Sequence, residues 1–565
     1  MLGSELLLKS LEEQGVELVF GIPGGAVIPL YDVLRKSKIK HILTKHEQGA
    51  IHAADGYARS TGKPGVCFAT SGPGATNLVT GLATAQMDSS PVIAITGQAA
   101  SPFIGKDSFQ EADMIGLSLP VTKHSYQVRD AHDIPKVIAE AFFVAQEGRP
   151  GPVLIDIPKD VFSQKVFEIK KPSIRKHLLE KFKKPGLDLK KINEVVEALK
   201  KAKRPLLLVG GGVNGVAGSS ELLKEFALKN EIPVTQTLMG KGVFPASHPL
   251  FLGMVGMHGT IEANWAMQNC DCLLAIGVRF DDRVTGKVEE FAPRAKIIHV
   301  DIDPAEHNKN RLADITIVGD SKEFLKCLCE KLWASKSNKD WLRQIRLQNP
   351  SSVVNVTKNL DPEGVMALIN SLLDDDTIVV TDVGQHQMWA ALFVHPQSPR
   401  SFITSGGLGT MGFGLPAAIG AQMANPHKKV VLITGDGSLQ MNLQELAVIK
   451  QWNLPIKIFL INNGSLGMVR QWQELFFQEN YAQSILEVGP DWGKLAEAYG
   501  LESKTVQEHR ELKDTLNSTF KNEKPTLINI LVDPGANVFP MVPAGCSLDQ
   551  IWGSWNNEAH VSSIG

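Results

Sequence analysis

A short β-branched run, a glycine-bearing turn and an amphipathic stretch recur along this chain, as in GVCFATSGPGATNLVTGLATA, RPLLLVGGGVNGVAGSSELLKEFAL and KVVLITGDGSLQMNLQELAVI. Neighbouring parallel strands need a long crossover, usually a helix, so this alternation predicts an α/β fold of doubly wound parallel sheets. At 565 residues the chain is too long for one hydrophobic core, and ordinary domain sizes divide it into roughly three or four. Charged, proline-bearing stretches at residues 167–186 and 342–364 read as linkers. They predict three domains, over residues 1–168, 190–345 and 360–532, and a C-terminal tail over 533–565. Thr70-Ser71-Gly72-Pro73-Gly74 with Asn77-Leu78, and Thr434-Gly435-Asp436-Gly437 with Asn442-Leu443, are similar phrases that hint at two related folds.

A formal charge of -2, with 43% hydrophobic and 21% charged residues, gives no electrostatic reason for nucleic acid or an acidic membrane as partner. The opening MLGSELLLKSLEEQGVELVFG alternates apolar positions at helical spacing and carries Glu5, Glu12 and Glu13, unlike a signal peptide. No run reaches the ~18 apolar residues of a membrane span. The expectation is a cytoplasmic small-molecule enzyme. Six scattered cysteines fit a reducing compartment. The pairs Cys270/Cys272 and Cys327/Cys329 have C-x-C spacing, but their apolar surroundings read as core thiols rather than zinc ligands.

GDGSLQMNLQELAVIKQWNLPIKIFLINN, residues 435–463, places one acid, Asp436, between glycines at the end of an apolar run, and ends the next run at Asn462 and Asn463. Open α/β sheets bind ligands at the carboxyl ends of their strands, where the next helix offers free N–H groups to phosphate. An acid there repels phosphate unless a divalent cation lies between them. Asp436 and the Asn463 side-chain oxygen are hard ligands suited to Mg²⁺, which takes few protein ligands plus phosphate oxygens. Taken singly, Asp436 also fits a helix N-cap and Asn463 a turn.

In combination, G-D-G, a helix and strand, and N-N resemble the diphosphate and magnesium motif of thiamine diphosphate enzymes. The resemblance implies that Asp436, Asn463 and the Ser465 carbonyl hold Mg²⁺. It also implies a first-domain glutamate that assists the aminopyrimidine, and LTKHEQGAIHAADGYARSTGKPG supplies Glu47. Ala50, Ile51, Ala53, Ala54 and Tyr57 on the same helix are expected to keep Glu47 dry and its carboxyl protonated or sharing a proton near neutral pH.

Over nearly the whole chain, GIPGGAVIPLYDVL, HEQGAIHAADGYAR, GKDSFQEADMIGLSLPVTKHS, GPVLIDIPKDV, GVRFDDRVTGK, VDIDPAE, GTMGFGLPAAIGA and NGSLGMVRQWQELF resemble the catalytic subunit of the acetohydroxyacid (acetolactate) synthase family. That resemblance implies three sheet domains: pyrimidine-binding, FAD-binding Rossmann-like and diphosphate-binding. It implies thiamine diphosphate contacts from Pro23, Gly24, Glu47, Gly72, Asn77 and Gln110. The third domain would add Val383, Gly384, Gln385, His386, Gly409, Met411, Gly435, Asp436, Gly437, Ser438, Asn463, Ser465, Gly467 and Met468. Met411 would wedge beneath the cofactor, and Phe109, Gln110 and Lys159 would approach from the first domain. The site would lie between two subunits, so a homodimer is the smallest active unit, with a tetramer open and a small regulatory subunit a frequent partner in the family.

The implied reaction decarboxylates pyruvate and ligates the two-carbon unit to pyruvate or 2-ketobutyrate, in branched-chain (valine, leucine, isoleucine) amino acid biosynthesis. The acceptor keeps its carboxylate, and a guanidinium can grip one bidentately. By resemblance Arg283 takes that role, oriented by Asp282, while Met468, Val469 and Trp472 pack on the acceptor's alkyl group. Surface ion pairing of Arg283 and core packing of Trp472 are the plainer alternatives. GGGVNG, residues 210–215, satisfies G-x-G-x-x-G, but the strand after it lacks the acid a dinucleotide fingerprint requires. The FAD assignment therefore rests on resemblance, at Gly211, Gly212, Thr237, Leu238, Met257, His258, Gly277, Arg279, Asp301, Ile302 and Asp320. Carboligation transfers no electrons to a flavin, so FAD is expected to be structural. A flavin-dependent pyruvate oxidase is the nearest rival, a flavin-free synthase and a nonenzymatic nucleotide-binding protein being the others. The Gly-, Pro- and aromatic-rich tail suits an irregular lid or a packed terminus.

Overall fold

The structure, a computed structural model, describes residues 1–169, 172–183, 186–331, 337–348 and 360–553. Three six-stranded sheets follow one another along the chain. The first contains β1 (Leu18–Gly21), β2 (Lys40–Leu43), β3 (Gly65–Ala69), β4 (Val92–Gln98), β5 (His124–Gln127) and β6 (Val153–Pro158), in the order β2-β1-β3-β4-β6-β5. The second contains β7 (Pro205–Val209), β8 (Val234–Gln236), β9 (Phe251–Met254), β10 (Cys272–Ile276), β11 (Lys296–Asp301) and β12 (Ile315–Val318), ordered β12-β11-β10-β7-β8-β9. The third contains β13 (Thr377–Thr381), β14 (Phe402–Ile403), β15 (Lys429–Gly435), β16 (Lys457–Asn462), β17 (Glu502–Val506) and β18 (Thr526–Leu531), ordered β14-β13-β15-β16-β18-β17. Every pairing is parallel. Helices cover both faces, so inner strands such as β3, β10 and β16 are apolar along nearly their whole length rather than alternating.

Counted from its own first strand, the third sheet repeats the order of the first. The two similar Gly-rich phrases follow the third strand of each, β3 and β15, which makes them equivalent turns. The middle sheet, counted the same way, has the order 3-2-1-4-5-6 of dinucleotide-binding folds. The order reverses between β1 and β3, β7 and β10, and β13 and β15, and ligands bind open sheets at such points.

The first and third domains share a core. Buried Ala50, Ile51, Ala53 and Ala54 from the helix Glu47–Thr61 lie in one cluster with Leu415, Ala417, Ala418 and Ala421 from the helix Gly414–Ala424. Close approach requires glycine: a Cβ at Gly56 would strike the Ala417 carbonyl, and one at Gly420 the Ala53 carbonyl. The expected first linker contains a short helix, Lys176–Lys181. The second is bounded by the helices Lys339–Arg346 and Pro362–Ser371, and its residues 349–359 lie outside the described residues, as do tail residues 554–565. The opening helix is Gly3–Glu13, and no described helix is long and apolar enough to cross a membrane.

Candidate active site

Strand β15 runs apolar to Gly435, and the following short helix begins at Asp436. Gly435, not Asp436, is the N-cap, and Asp436 is the first residue of the helix. Its Oδ1 accepts from the Gly437 N–H at 3.0 Å. Burial pushes its carboxyl up to about 6. Across the turn after β16, Asn463 accepts from the Ser465 N–H at 3.2 Å. At the reversal point, β13 ends beside β15 and delivers Val383 and Gly384; Ser438 Oγ donates to the Val383 carbonyl. His386 is buried against Gly435 and its Nε2 lacks a partner, as does the buried Ser465 Oγ. Burial drives the His386 imidazole down to about 3, so it is neutral. A buried carboxylate, an amide oxygen and two orphaned polar atoms at a strand end fit a divalent cation with a diphosphate. Met411 Cε reaches within 3.6 Å of where a Gly437 Cβ would stand.

The first domain gathers a second set at the β1/β3 reversal. Glu47 is the first residue of its helix, behind an N-cap whose ring, His46, accepts from the Gln48 N–H. Glu47 Oε2 accepts from Asn77 Nδ2 at 2.9 Å, and Gly74 lies against its Oε1. Gly72, at φ +60, leaves no room for a Cβ beside Gln110, and Gly24 abuts Thr70 after β3. The expected dryness is not met in the single chain, where Glu47 is half-buried. The small residues that were to exclude water, Ala50, Ala53 and Ala54, turn instead into the shared core. Phe109, Pro23 and Lys159 are exposed.

All eleven residues expected at the flavin line one cavity of about 1000 Å³, at the upper end of the ~300–1,000 Å³ typical of ligand sites. Gly212 and Gly277 make its floor: their backbones touch, Gly277 has φ +62, and Gly212 N–H donates to Gly277 O at 3.2 Å. Asp301 ends β11, and burial raises its carboxyl to about 6. His258 is buried, driven by burial down to about 4, and its Nε2 has no partner. Glycine turns, a buried carboxylate and an orphaned ring nitrogen fit a dinucleotide. Asp282, Arg283, Met468 and Trp472 line the same cavity, with Val383, Gly384 and Gly409. The Arg283 guanidinium stands 5.9 Å from the Trp472 ring centre and 3.6 Å from the Asp282 carboxylate. Val469 is exposed and does not line the cavity, nor do Glu47, Phe109, Gln110 or Lys159.

Several contributors carry no sequence signature. Arg59, Arg149 and Arg400 line the cavity. Arg59, largely covered, pairs with Asp55 at 2.8 Å and Asp88 at 3.0 Å, and Asp88 in turn accepts from the Gly406 and Gly407 N–H groups that lead to Gly409. Glu445 of the third domain accepts from the Lys45 and His46 N–H groups, just before Glu47. Lone charged residues within apolar or loop stretches offered nothing to single them out.

Two Gly-turn sheets of one topology flanking a dinucleotide-type sheet define a thiamine pyrophosphate enzyme, and family models agree. Residues 1–117 match the N-terminal TPP binding domain of thiamine pyrophosphate enzymes, 192–328 the central domain and 382–530 the C-terminal TPP binding domain. The chain is 48% identical over 568 residues to the probable acetolactate synthase large subunit of Methanocaldococcus jannaschii, covering 98% of this chain and 95% of that protein. It is 47% identical over 550 residues to the acetolactate synthase isozyme 2 large subunit of Escherichia coli, covering 97% and 98%, and 49% identical over 565 residues to the acetolactate synthase of Mycobacterium bovis, covering 97% and 91%. The chain belongs to the acetolactate synthase large-subunit family of thiamine pyrophosphate enzymes.

Proposed function

We propose that this protein is the catalytic subunit of an acetolactate synthase. It would decarboxylate pyruvate and join the two-carbon unit to a second pyruvate, giving 2-acetolactate, or to 2-ketobutyrate, giving 2-aceto-2-hydroxybutyrate. The observation that carries this reading is the placement of Arg283 and Trp472 in one cavity with Val383, Gly384 and Gly409. A synthase, unlike a simple decarboxylase, must hold a second ketoacid by its carboxylate. When bound, thiamine diphosphate supplies a nucleophilic carbon and a cationic ring that accepts the electron pair released as CO2 leaves. Asp436, Asn463 and the Ser465 carbonyl would hold Mg²⁺ against its diphosphate. Glu47, held by Asn77, would exchange a proton with the aminopyrimidine, and Gln110 and Lys159 would face the substrates. Arg283 would bind the acceptor carboxylate, and Trp472 and Met468 would bound its alkyl group.

FAD is proposed as a structural occupant of the large cavity, where it would wall the acceptor pocket. The relatives named above carry synthase names, which weighs against a pyruvate oxidase. The half-open Glu47, with Phe109 and Phe477 exposed, supports a homodimer in which one chain's first domain faces its partner's third domain. The large-subunit names of relatives support a small regulatory partner. The domain limits 1–168, 190–345 and 360–532 are proposed alongside.

The test supplies the purified chain with thiamine diphosphate, Mg²⁺ and FAD and follows CO2 release and acetolactate formation from pyruvate, with 2-ketobutyrate as competitor. Acetolactate should form equally with oxidised or reduced flavin. Losing charge-assisted hydrogen bonds costs ~1.5–3 kcal/mol, so Arg283→Ala should weaken acceptor use ~10–150-fold. Unchanged product yields in that variant would remove Arg283 from the mechanism, and CO2 release without carboligation would refute the synthase reading.

A further inference from the structure

Three buried side-chain amides run in line from the proposed metal site to the C-terminal segment. Asn463 Nδ2 donates to Gln385 Oε1 at 2.9 Å, and Gln385 Nε2 donates to Gln471 Oε1 at 2.9 Å and to the Ala536 carbonyl at 3.0 Å. Gln471 ends on a main-chain pair. Its Oε1 accepts from the Val538 N–H at 2.8 Å, and its Nε2 donates to the Val538 carbonyl at 3.1 Å. Gln471 is fully buried, and a Cβ at Gly467 would collide with both Gln385 and Asn463.

The direction of this line follows from chemistry alone. An amide side chain can ordinarily be turned end for end, but a backbone N–H only donates and a carbonyl only accepts. Val538 therefore fixes which end of Gln471 is oxygen. That oxygen requires the nitrogen of Gln385 opposite it, which leaves Gln385 Oε1 to face Asn463. An acceptor facing Asn463 demands its nitrogen and so turns Oδ1 the other way, toward the Ser465 N–H and the strand tip beside Asp436. Asn463 is thereby locked with the one atom that can ligate a cation pointing away from the line.

The same C-terminal segment continues to the acceptor end of the cavity. Val542 N–H donates to the Met257 carbonyl at 2.7 Å, His258 Nδ1 lies 3.3 Å from the Pro540 carbonyl, and Met257 N–H donates to the Arg283 carbonyl at 2.8 Å. Arg470 adds hydrogen bonds to the Ala536 carbonyl at 2.9 Å and to Asn537 Oδ1 at 2.7 Å.

We propose that Gln471 is a positioning residue that orients Asn463 through Gln385 and ties that orientation to the segment 536–542, so that metal affinity and the order of this segment are linked. The proposal rests on the assignment of Asn463 to the metal. Linkage is reciprocal: a cation that needs Asn463 Oδ1 holds the line in one polarity and so holds the segment, and loss of the segment's anchor loosens the cation. Groups that orient metal ligands from behind typically change affinity 10–100-fold when removed.

The experiment compares the full-length chain with Gln471→Met, which keeps length and apolar bulk but has no amide. Flavin absorbance and the thermal midpoint establish that the variant is folded. Mg²⁺ binding is measured by calorimetry with saturating thiamine diphosphate, and cleavage within 534–553 by limited proteolysis with and without both ligands. In the wild type the ligands should slow that cleavage. In the folded variant, Mg²⁺ should bind at least ~10-fold more weakly and the protection should largely vanish. A folded variant with wild-type Mg²⁺ affinity, or a wild type whose cleavage is indifferent to the ligands, overturns the proposal while leaving the enzyme's function standing. A wild type that binds no Mg²⁺ with thiamine diphosphate overturns the metal assignment itself. If the variant does not fold, the wild-type protection experiment alone decides.

Discussion

Lys241 is a fully buried lysine with no carboxylate among the described residues hydrogen-bonded to it. Its Nζ donates to the Ala391 carbonyl at 2.7 Å and stands 5.0 Å from the Phe402 ring centre, joining the middle domain to the third. Ala391 lies in the last turn of the helix Gln385–Phe393, where carbonyls are unpaired within the helix and the dipole is negative. That favours a cation, but burial outweighs it and drives the amine down from 10.5 to about 7. Above pH 10.5 the amine is neutral in both states. Between 10.5 and about 7 the unfolded chain holds a proton the folded one lacks, so stability falls as pH falls; below about 7 both are charged and the loss is complete. At ~1.36 kcal/mol per pH unit the full loss is ~5 kcal/mol. Between pH 8 and pH 6 it is roughly 1.3 kcal/mol. Lys241→Met removes this dependence and, by leaving the Ala391 carbonyl unpaired, costs ~1–3 kcal/mol at every pH. The thermal midpoints of the two proteins, compared from pH 6 to pH 9.5, cancel the titrating groups that do not face Lys241; His395, which does, is driven by burial down to about 3 and stays neutral in the folded protein across this range. The variant should gain on the wild type steadily as the pH is lowered to about 7. A midpoint difference that stays constant across this range would refute the reasoning, since it would mean that Lys241 keeps its proton in the folded protein as it does in the unfolded chain.

Asp436, raised to about 6 by burial in the metal-free chain, contributes stability there that is present below its ordinary 3.8 and lost as pH rises through about 6. Mg²⁺ with thiamine diphosphate reverses that loss, so the thermal shift they produce should grow from pH 5 to pH 8 and be abolished in Asp436→Asn. Trp472→Leu should shift the ratio of 2-aceto-2-hydroxybutyrate to 2-acetolactate toward acetolactate by ~10-fold or more, since discrimination of one methylene is worth ~1–3 kcal/mol; an unchanged ratio in a competition assay would take Trp472 out of the selectivity. Arg59→Met leaves Asp55 and Asp88 buried without their cation. Breaking a buried pair costs ~3–5 kcal/mol, so a thermal melt should show a marked loss of stability, which Asp55→Asn in the same chain would partly restore.

The sheets were legible because a strand buried on both faces must stay apolar until it turns, and the turns here carry glycine. VVLIT ends at Gly435 and IKIFLI at Asn462 for that reason, and Asp436 stood out as an acid at a strand end otherwise suited to phosphate. The equivalence of the first and third domains was visible only as one short pair of phrases, because topology leaves little trace once side chains diverge. The eleven residues expected at the flavin came from resemblance rather than from pattern. They lie on separate loops, and nothing local in Thr237 or Met257 announces a common cavity. Least legible were the buried polar contacts over long sequence separations: Glu445 with Lys45 and His46, Lys241 with Ala391, and Gln385 with Gln471. Each partner alone looks like an ordinary polar residue, and only the fold makes its burial expensive enough to demand the other.

The shared core also bears on how a complete site can form. Helices that touch backbone to backbone at Gly56 and Gly420 cannot slide or open without losing that contact, and Glu445, seated on the Lys45 and His46 N–H groups, fixes the first turn of the Glu47 helix to the third domain of the same chain. A tightly packed interior has discrete arrangements rather than a continuum of them. Within one chain, then, the first and third domains act as one body, and hinge closure between them is not available to dry the half-exposed Glu47. Docking of a second rigid surface is. The exposed apolar residues beside the site, Phe103 and Phe109 on the first domain and Phe476 and Phe477 on the third, are the material such docking would bury, which favours a site assembled by dimerisation over one assembled by closure.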